Sequence, residues 1–328
     1  MGAYITQNTL RRAVSCEGVG VHSGIPTTLT VKPAPENSGF VFVRTDVTDK
    51  DNRIPATWDN VCDTQLCTVL ANEDGVKIST VEHVLSALWG CGIDNAVIEV
   101  SGGEIPIMDG SAADFVTLLR RAGIATQDAP RKFLAVKAPV TVVKDDKKVT
   151  LRPAATQSFY FEIDFDSKAI GRQQHEFHFS ESGYEKEIGD ARTFGFLHEV
   201  EALRRMGLAR GGSLDNAVVI DGDTVLNSGG LRHKNEFVRH KILDALGDLL
   251  LCGGQIIGRY EGIRAGHHMN NEILRKLFAT KDAWEFITLT KQQYLALAAT
   301  GENLRRIPAT APFVVISKKA AEQNAGAY

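Results

Sequence analysis

The chain has 328 residues, enough for two domains rather than a single small core. Its 37 Lys+Arg against 40 Asp+Glu leave a net charge of −3, which excludes the broad basic field that attracts nucleic acid; 43% hydrophobic and 23% charged residues exclude a disordered or fibrous chain. Five cysteines at irregular spacings, with no C-x-x-C pair, argue against a disulfide framework and fit a reducing compartment. No apolar run approaches the ~20 residues of a membrane span, and the first residues carry no signal-peptide core, so a soluble, cytoplasmic protein is expected.

Residues 1–70 read mainly as strands: Leu29 and Val31 alternate with Thr28, Thr30 and Lys32, and Phe40-Val41-Phe42-Val43 is a β-rich run. Ser79-Thr80-Val81-Glu82 has the form of a capping box and predicts a helix through Leu85, Leu88 and Trp89, stopped by Gly92. Residues 95–100 read as a strand, Met108-Asp109-Gly110-Ser111 as a turn and cap, and residues 112–122 as a second helix. Residues 123–131, with Thr126, Gln127, Asp128 and Pro130, show no period. The domain boundary is placed there, between an N-terminal α+β domain at 1–129 and a C-terminal one at 130–328. The second half repeats the order: strands across 133–165 with a Lys144-Asp145-Asp146-Lys147 hairpin turn, a helix ending near Gly207, another over 235–251, a strand over 255–260 and a last helix from His267. Val81-Glu82-His83 and Val238-Arg239-His240 open helices in the two halves, which points to a duplicated unit. Residues 211–231 break the symmetry with a strand at 217–220, an Asp221-Gly222-Asp223 turn and a Val225-Leu226 pair, an excursion of the kind that carries specificity. Residues 318–328 are polar and rich in small side chains and read as a mobile tail.

The helix over 235–251 sets Val238, Ile242, Ala245, Leu246 and Leu249 in one apolar stripe. His240, Asp244 and Asp248 fall on its other side, with Lys241 beside them, and the i, i+4 spacing lets His240 and Asp244 hold one metal ion. A solvated face with a His–Asp pair satisfies the same pattern, and for this helix alone it is the ordinary outcome. Glu82-His83 sets a carboxylate beside a histidine, as metallohydrolases place a general base next to their water; a glutamate there also serves simply to close a cap. Gly266-His267-His268 opens a helix whose free N–H groups suit a developing anion, with a surface capping histidine as the plain alternative. H-E-x-x-H, a Cys-rich zinc knuckle, G-x-S-x-G and a Walker loop are absent from the sequence.

Six blocks then occur in order: Gly18-Val19-Gly20-Val21-His22-Ser23-Gly24, Ser79-Thr80-Val81-Glu82-His83, Ile105-Pro106-Ile107-Met108-Asp109-Gly110-Ser111, Ala191-Arg192-Thr193-Phe194-Gly195-Phe196, Glu236-Phe237-Val238-Arg239-His240-Lys241 and Gly266-His267-His268-Met269-Asn270-Asn271. Together they resemble the UDP-3-O-acyl-N-acetylglucosamine deacetylase family and span nearly the whole chain. The resemblance implies an α+β fold of two similar domains forming a β-α-α-β sandwich, with a small insert in each. It implies zinc-dependent hydrolysis of the N-acetyl group of UDP-3-O-(3-hydroxyacyl)-N-acetylglucosamine, the committed step of lipid A biosynthesis.

Carried over residue by residue, the resemblance puts Zn2+ on His83, His240 and Asp244, a set that also accepts Fe2+. Glu82 becomes the general base, Thr193 an oxyanion donor, His267 the cation that protonates the leaving amine, and Asp248 the carboxylate that orients His267. Lys241 would meet the sugar-nucleotide, Phe194 would sit in the substrate cleft, and Leu214, Ala217 and Val219 would line an acyl passage within 211–231. The family has a small residue where this chain has His268; His267 is taken as the functional one because it follows Gly266. Cys67 matches a cysteine near the metal in many relatives and is not counted as a ligand. The implied partner is a small-molecule UDP-linked acylated amino sugar, not nucleic acid, and a monomer is expected. Two other classes stay open: an amidohydrolase of another N-acylated amino sugar, and a non-catalytic binding module, against which the charge balance and the full residue set weigh.

Overall fold

Alternating burial makes the first sheet: Thr27, Leu29 and Val31 point inward while Thr28, Thr30 and Lys32 stay partly solvated. The computed structural model describes residues 4–180 and 183–299, so the tail expected at 318–328 lies outside the described residues. The chain runs β1 (Thr6–Leu10), β2 (Val14–Val19), β3 (Pro26–Pro33), β4 (Phe40–Arg44), β5 (Arg53–Pro55), β6 (Val61–Asp63), β7 (Val69–Ala71), β8 (Lys77–Ser79), α1 (Glu82–Gly90), β9 (Ala96–Val100), α2 (Ala113–Ala122) and β10 (Ile124–Pro130). It continues β11 (Phe133–Val136), β12 (Val140–Lys144), β13 (Lys147–Arg152), β14 (Gln157–Asp164), β15 (Arg172–His178), α3 (Gly183–Glu187), β16 (Phe194–Phe196), α4 (Leu197–Arg205), β17 (Val218–Asp221) and β18 (Thr224–Val225). It closes with α5 (Glu236–Leu250), β19 (Gln255–Ile263), α6 (His267–Ala279), β20 (Trp284–Ile287) and α7 (Lys291–Ala298).

The fold is α+β. One sheet has the order β2-β3-β9-β4-β5, antiparallel except where β4 meets β9. The other has β12-β13-β19-β11-β20, with β14 beside β19 and β15 on β14. Between them α1 packs on α5 and α2, α2 reaches β2, α5 covers β14, β15 and β19, and α6 covers β12 and β13. The layers therefore run sheet, helices, helices, sheet, over one apolar core to which Phe42, Leu88, Leu246 and Phe161 belong. Two small three-stranded sheets, β6-β7-β8 and β16-β17-β18, sit outside these layers. Among the described residues no helix is long and apolar enough to cross a membrane.

The α1–α5 crossing places the site. A Cβ on Gly247 of α5 would lie 2.0 Å from the carbonyl oxygen of Glu82 in α1, so only glycine lets the helices approach this closely. The first turn of α1 is thereby laid against the middle of α5.

Several sequence expectations need correction. Ser79-Thr80-Val81-Glu82 is not a capping box: Ser79 belongs to β8 and donates to Gly103 O, and α1 has no side-chain cap. Thr80 stands at φ 60°, a strained conformation for a β-branched residue, and Glu82 turns inward to accept from Thr68 N instead. Residues 123–131, in which no period is visible, include β10, paired antiparallel with β1; its half-buried alternation lacks the apolar contrast that marks a strand. The polar side of α5 is not solvated: His240, Asp244 and Asp248 are each only 3% exposed, so their pattern needed an explanation other than water. β15 was missed because Arg172-Gln173-Gln174-His175-Glu176 is wholly polar, and α6 is not last, since β20 and α7 follow. The expected hairpin turn is present, with Lys144 paired to Lys147 and Asp145 at φ 53°.

Candidate active site

Two triads of ligand-type residues meet at the α1–α5 crossing. In each, the ligand atoms lie within 4.8 Å of one another: His83, His240 and Asp244 form one, Glu82, Asp248 and His267 the other. α1 supplies Glu82 and His83, α5 supplies His240, Asp244 and Asp248 one turn apart, and the first residue of α6 is His267.

The first triad has the chemistry of a cation site. His240 Nδ1 lies 3.0 Å from the carbonyl oxygen of Ala191, which can only accept, so Nδ1 carries the ring proton. Burial holds this imidazole down to about 4 against the opposing pull of Asp244, so near neutrality Nε2 offers a lone pair. That lone pair faces Asp244 Oδ1 at 3.3 Å, and His83 Nε2 lies 3.5 Å from the same oxygen. Asp244 Oδ1 has no hydrogen-bond partner among the described residues, nor has His83 Nδ1. A buried carboxylate oxygen set between the Nε2 atoms of two imidazoles, with no hydrogen bond among the described residues, is satisfied by a cation. Asp244 Oδ2 accepts from Lys241 Nζ at 2.7 Å. Burial would push Asp244 up, but the His240 ring and the Lys241 ammonium keep it well below the usual carboxylate range.

The second triad is a buried, hydrogen-bonded cluster of two carboxylates and an imidazole. Asp248 Oδ2 accepts from His267 Nδ1 and from Asn270 Nδ2, both at 2.8 Å, and its Oδ1 accepts from Thr68 Oγ1 at 2.5 Å. Burial works against a charged imidazole, yet Asp248 and then Glu82 outweigh it and raise His267 to about 9. Its Nε2 faces Glu82 Oε1 at 3.8 Å. Glu82 is pushed up by burial, with His267 and His83 opposing. His268, by contrast, is exposed and lies 3.3 Å from Lys144 Nζ, away from both triads.

Both triads open into a cavity of about 1110 Å³ that Thr193, Phe194, Leu214, Ala217 and Val219 also line. Thr193 is clamped by its backbone, donating to Gly110 O and accepting from Val218 N, both at 2.8 Å. The segment before it is anchored by Arg192, whose Nε lies 2.9 Å from the fully buried Glu236. Phe194 is half-buried against Phe237, ring centroids 4.9 Å apart. Leu214 is 48% exposed at the cavity wall, whereas Val219 is buried. Cys67 also lines the cavity, its thiol pushed up chiefly by burial. Sequence reasoning missed Thr68 and Tyr260, gave no role to Asn270 of the sixth block, which accepts from Tyr260 at Oδ1, 2.6 Å away, and missed Glu104, which accepts from the backbone of His22 and Ser23. His22, in the first of the six blocks, lines the cavity, and its buried Nδ1 has no partner among the described residues.

The family model of UDP-3-O-acyl N-acetylglycosamine deacetylase matches residues 7–279. The chain belongs to this deacetylase family. It is 53% identical over 285 residues to the UDP-3-O-acyl-N-acetylglucosamine deacetylase of Phenylobacterium zucineum (strain HLK1), covering 87% of this chain and 97% of that one. It is 51% identical over 286 residues to the enzyme of the same name from Hahella chejuensis (strain KCTC 2396), covering 87% and 94%. A third, from Shewanella sp. (strain W3-18-1), is 50% identical over 290 residues, 88% of this chain and 94% of the relative. Membership in the deacetylase family makes the chain a hydrolase of a metalloenzyme family, and the His/Asp groups described above could hold the metal.

Proposed function

We propose that the protein hydrolyses the N-acetyl group of UDP-3-O-(3-hydroxyacyl)-N-acetylglucosamine, releasing acetate in the committed step of lipid A biosynthesis, as a zinc-dependent cytoplasmic monomer. The observation that carries this reading is Asp244 Oδ1, buried, without a hydrogen-bond donor and facing the Nε2 atoms of His83 and His240, beside a proton-transfer triad. On this reading the site lies where units 1–129 and 130–328 meet, the first supplying Glu82 and His83 and the second the rest. Zn2+ on His83, His240 and Asp244 would supply Lewis acidity, polarising the amide carbonyl and bringing the pKa of water to about 7; the same donor set suits Fe2+.

The chain's own residues then divide the proton work. Glu82 is held at Oε2 by Thr68 N, 3.1 Å away, which leaves Oε1 to take a proton from the attacking water. As the water oxygen adds to the acetyl carbon, the Thr193 hydroxyl at the cavity wall donates to the developing oxyanion. His267, kept protonated by Asp248, gives its Nε2 proton to the sugar nitrogen as the C–N bond breaks. Lys241 neutralises the second oxygen of Asp244 and adds positive charge near the substrate's phosphates. Phe194 with Leu214, Ala217 and Val219 offers the apolar wall for the acyl chain, each buried methylene contributing ~0.8 kcal/mol.

The test is acetate release from UDP-3-O-(3-hydroxyacyl)-N-acetylglucosamine by purified protein, with metal measured on the same sample. Turnover that stops on chelation and returns with about one equivalent of zinc is expected. One bound zinc with no acetate released from this substrate would overturn the assignment.

A further inference from the structure

Thr68 is the one described residue bonded to both carboxylates that flank His267. It lies just before β7, in the small sheet outside the main layers, 14 residues from Glu82 and 180 from Asp248 in sequence. Its backbone N–H donates to Glu82 Oε2 at 3.1 Å, and its hydroxyl donates to Asp248 Oδ1 at 2.5 Å. The hydroxyl has a single proton, and Asp248 Oδ1 is an acceptor, so the direction of this bond is fixed. Thr68 is 2% exposed and its carbonyl accepts from Val81 N at 3.5 Å, so the residue is itself held against the start of α1.

Each carboxylate has one oxygen on Thr68 and the other turned to His267. Glu82 Oε1 lies 3.8 Å from His267 Nε2, and Asp248 Oδ2 lies 2.8 Å from His267 Nδ1. Without a donor on its far oxygen a carboxylate can rotate about its terminal torsion, which is broad and roughly two-fold. We infer that Thr68 is a positioning residue that locks Glu82 and Asp248 in register on opposite nitrogens of His267, so that base and acid are aligned by one side chain and its own N–H. Asn270, held by Tyr260, gives Asp248 a second donor but does not touch Glu82, so it cannot make this link.

The inference rests on the deacetylase reading for its kinetic arm only. Thr68→Val removes the hydroxyl and keeps the shape and the N–H; Thr68→Ser restores the hydroxyl. In the full-length, metal-loaded protein, Thr68→Val should lower kcat ~10–100-fold, the range for partners that orient reacting groups, with KM within about twofold and metal content unchanged. Thr68→Ser should recover most of that loss. A second readout needs no substrate: the His267 Nδ1 proton, assigned by its disappearance in His267→Ala, should give a downfield resonance in 15N-histidine-labelled protein. It should broaden or vanish in Thr68→Val and persist in Thr68→Ser. If Thr68→Val does not fold, Thr68→Ala carries the same expectations. Wild-type kcat and an unchanged His267 resonance in the hydroxyl-free variant would overturn the inference, as would equal losses in Val and Ser. If the wild-type protein releases no acetate, the substrate reading fails while the resonance still decides the role of Thr68.

Discussion

Adding one methyl group at Gly247 separates local propensity from the geometry of the site. In an exposed helix interior, Gly→Ala stabilises by about 1 kcal/mol, because alanine loses less backbone entropy on folding. At Gly247 the new Cβ would meet Glu82 O at 2.0 Å, Glu82 C at 2.8 Å and Glu82 Cα at 3.0 Å, all backbone atoms that cannot swing aside. Ordinary contact requires α1 and α5 to part by roughly 1.4 Å, and strain of that kind typically costs ~1–3 kcal/mol. The sum is a net loss of up to about 2 kcal/mol rather than the gain that propensity alone gives, seen as a Tm lower by up to a few degrees. The displacement also pulls Glu82 and His83 on α1 away from His240, Asp244 and Asp248 on α5, and a misplacement of ~1 Å can cost ~10²-fold in rate. Thermal unfolding, metal content and kcat on Gly247→Ala would be measured together. A raised Tm with unchanged kcat, the result that propensity alone predicts, would refute the close-approach argument.

Roles within the two triads should separate cleanly: His83→Ala and His240→Ala lose metal and activity together, whereas Glu82→Gln and His267→Ala keep the metal and lose rate; release of metal from Glu82→Gln would reverse its assignment. Thr193→Ala should lower kcat by ~10²–10³ with KM little changed, and a loss confined to KM would deny it the oxyanion role. His175 is held down to about 4 by burial, with Arg239 and His233 adding to it, and its Nε2 has no hydrogen-bond partner among the described residues. Because the folded state prefers the neutral ring, its contribution is present above the ordinary histidine value and is lost as pH falls from about 6.5 toward 4. Tm should therefore fall more steeply across that window in the wild-type protein than in His175→Gln; parallel profiles would remove His175 as a cause.

Much of the local structure was legible because it depends on neighbours in sequence. The Lys144–Lys147 hairpin follows from charged turn residues between alternating strands, and the strand at Val218–Asp221 from a short apolar run closed by Asp221-Gly222-Asp223. The i, i+4 spacing of His240 and Asp244 and the adjacency of Glu82 to His83 likewise set candidate ligands on single helix faces. The failures were places where a distant partner overrode the local pattern. Glu82 has the sequence signature of a cap but finds its donor in Thr68, and β10 forms because β1 pairs with it.

By itself, then, the sequence determined which side chains could share a helix face and, through its six ordered blocks, the family they point to. Only the tertiary structure decided that His240, Asp244 and Asp248 are buried rather than solvated, and that His267 rather than His268 meets Asp248. It also decided that Thr68, 180 residues away in sequence, completes that carboxylate. The reason is physical: period and propensity act over a few residues, whereas the desolvation that makes these groups reactive arises only when α1, α5 and α6 close around them.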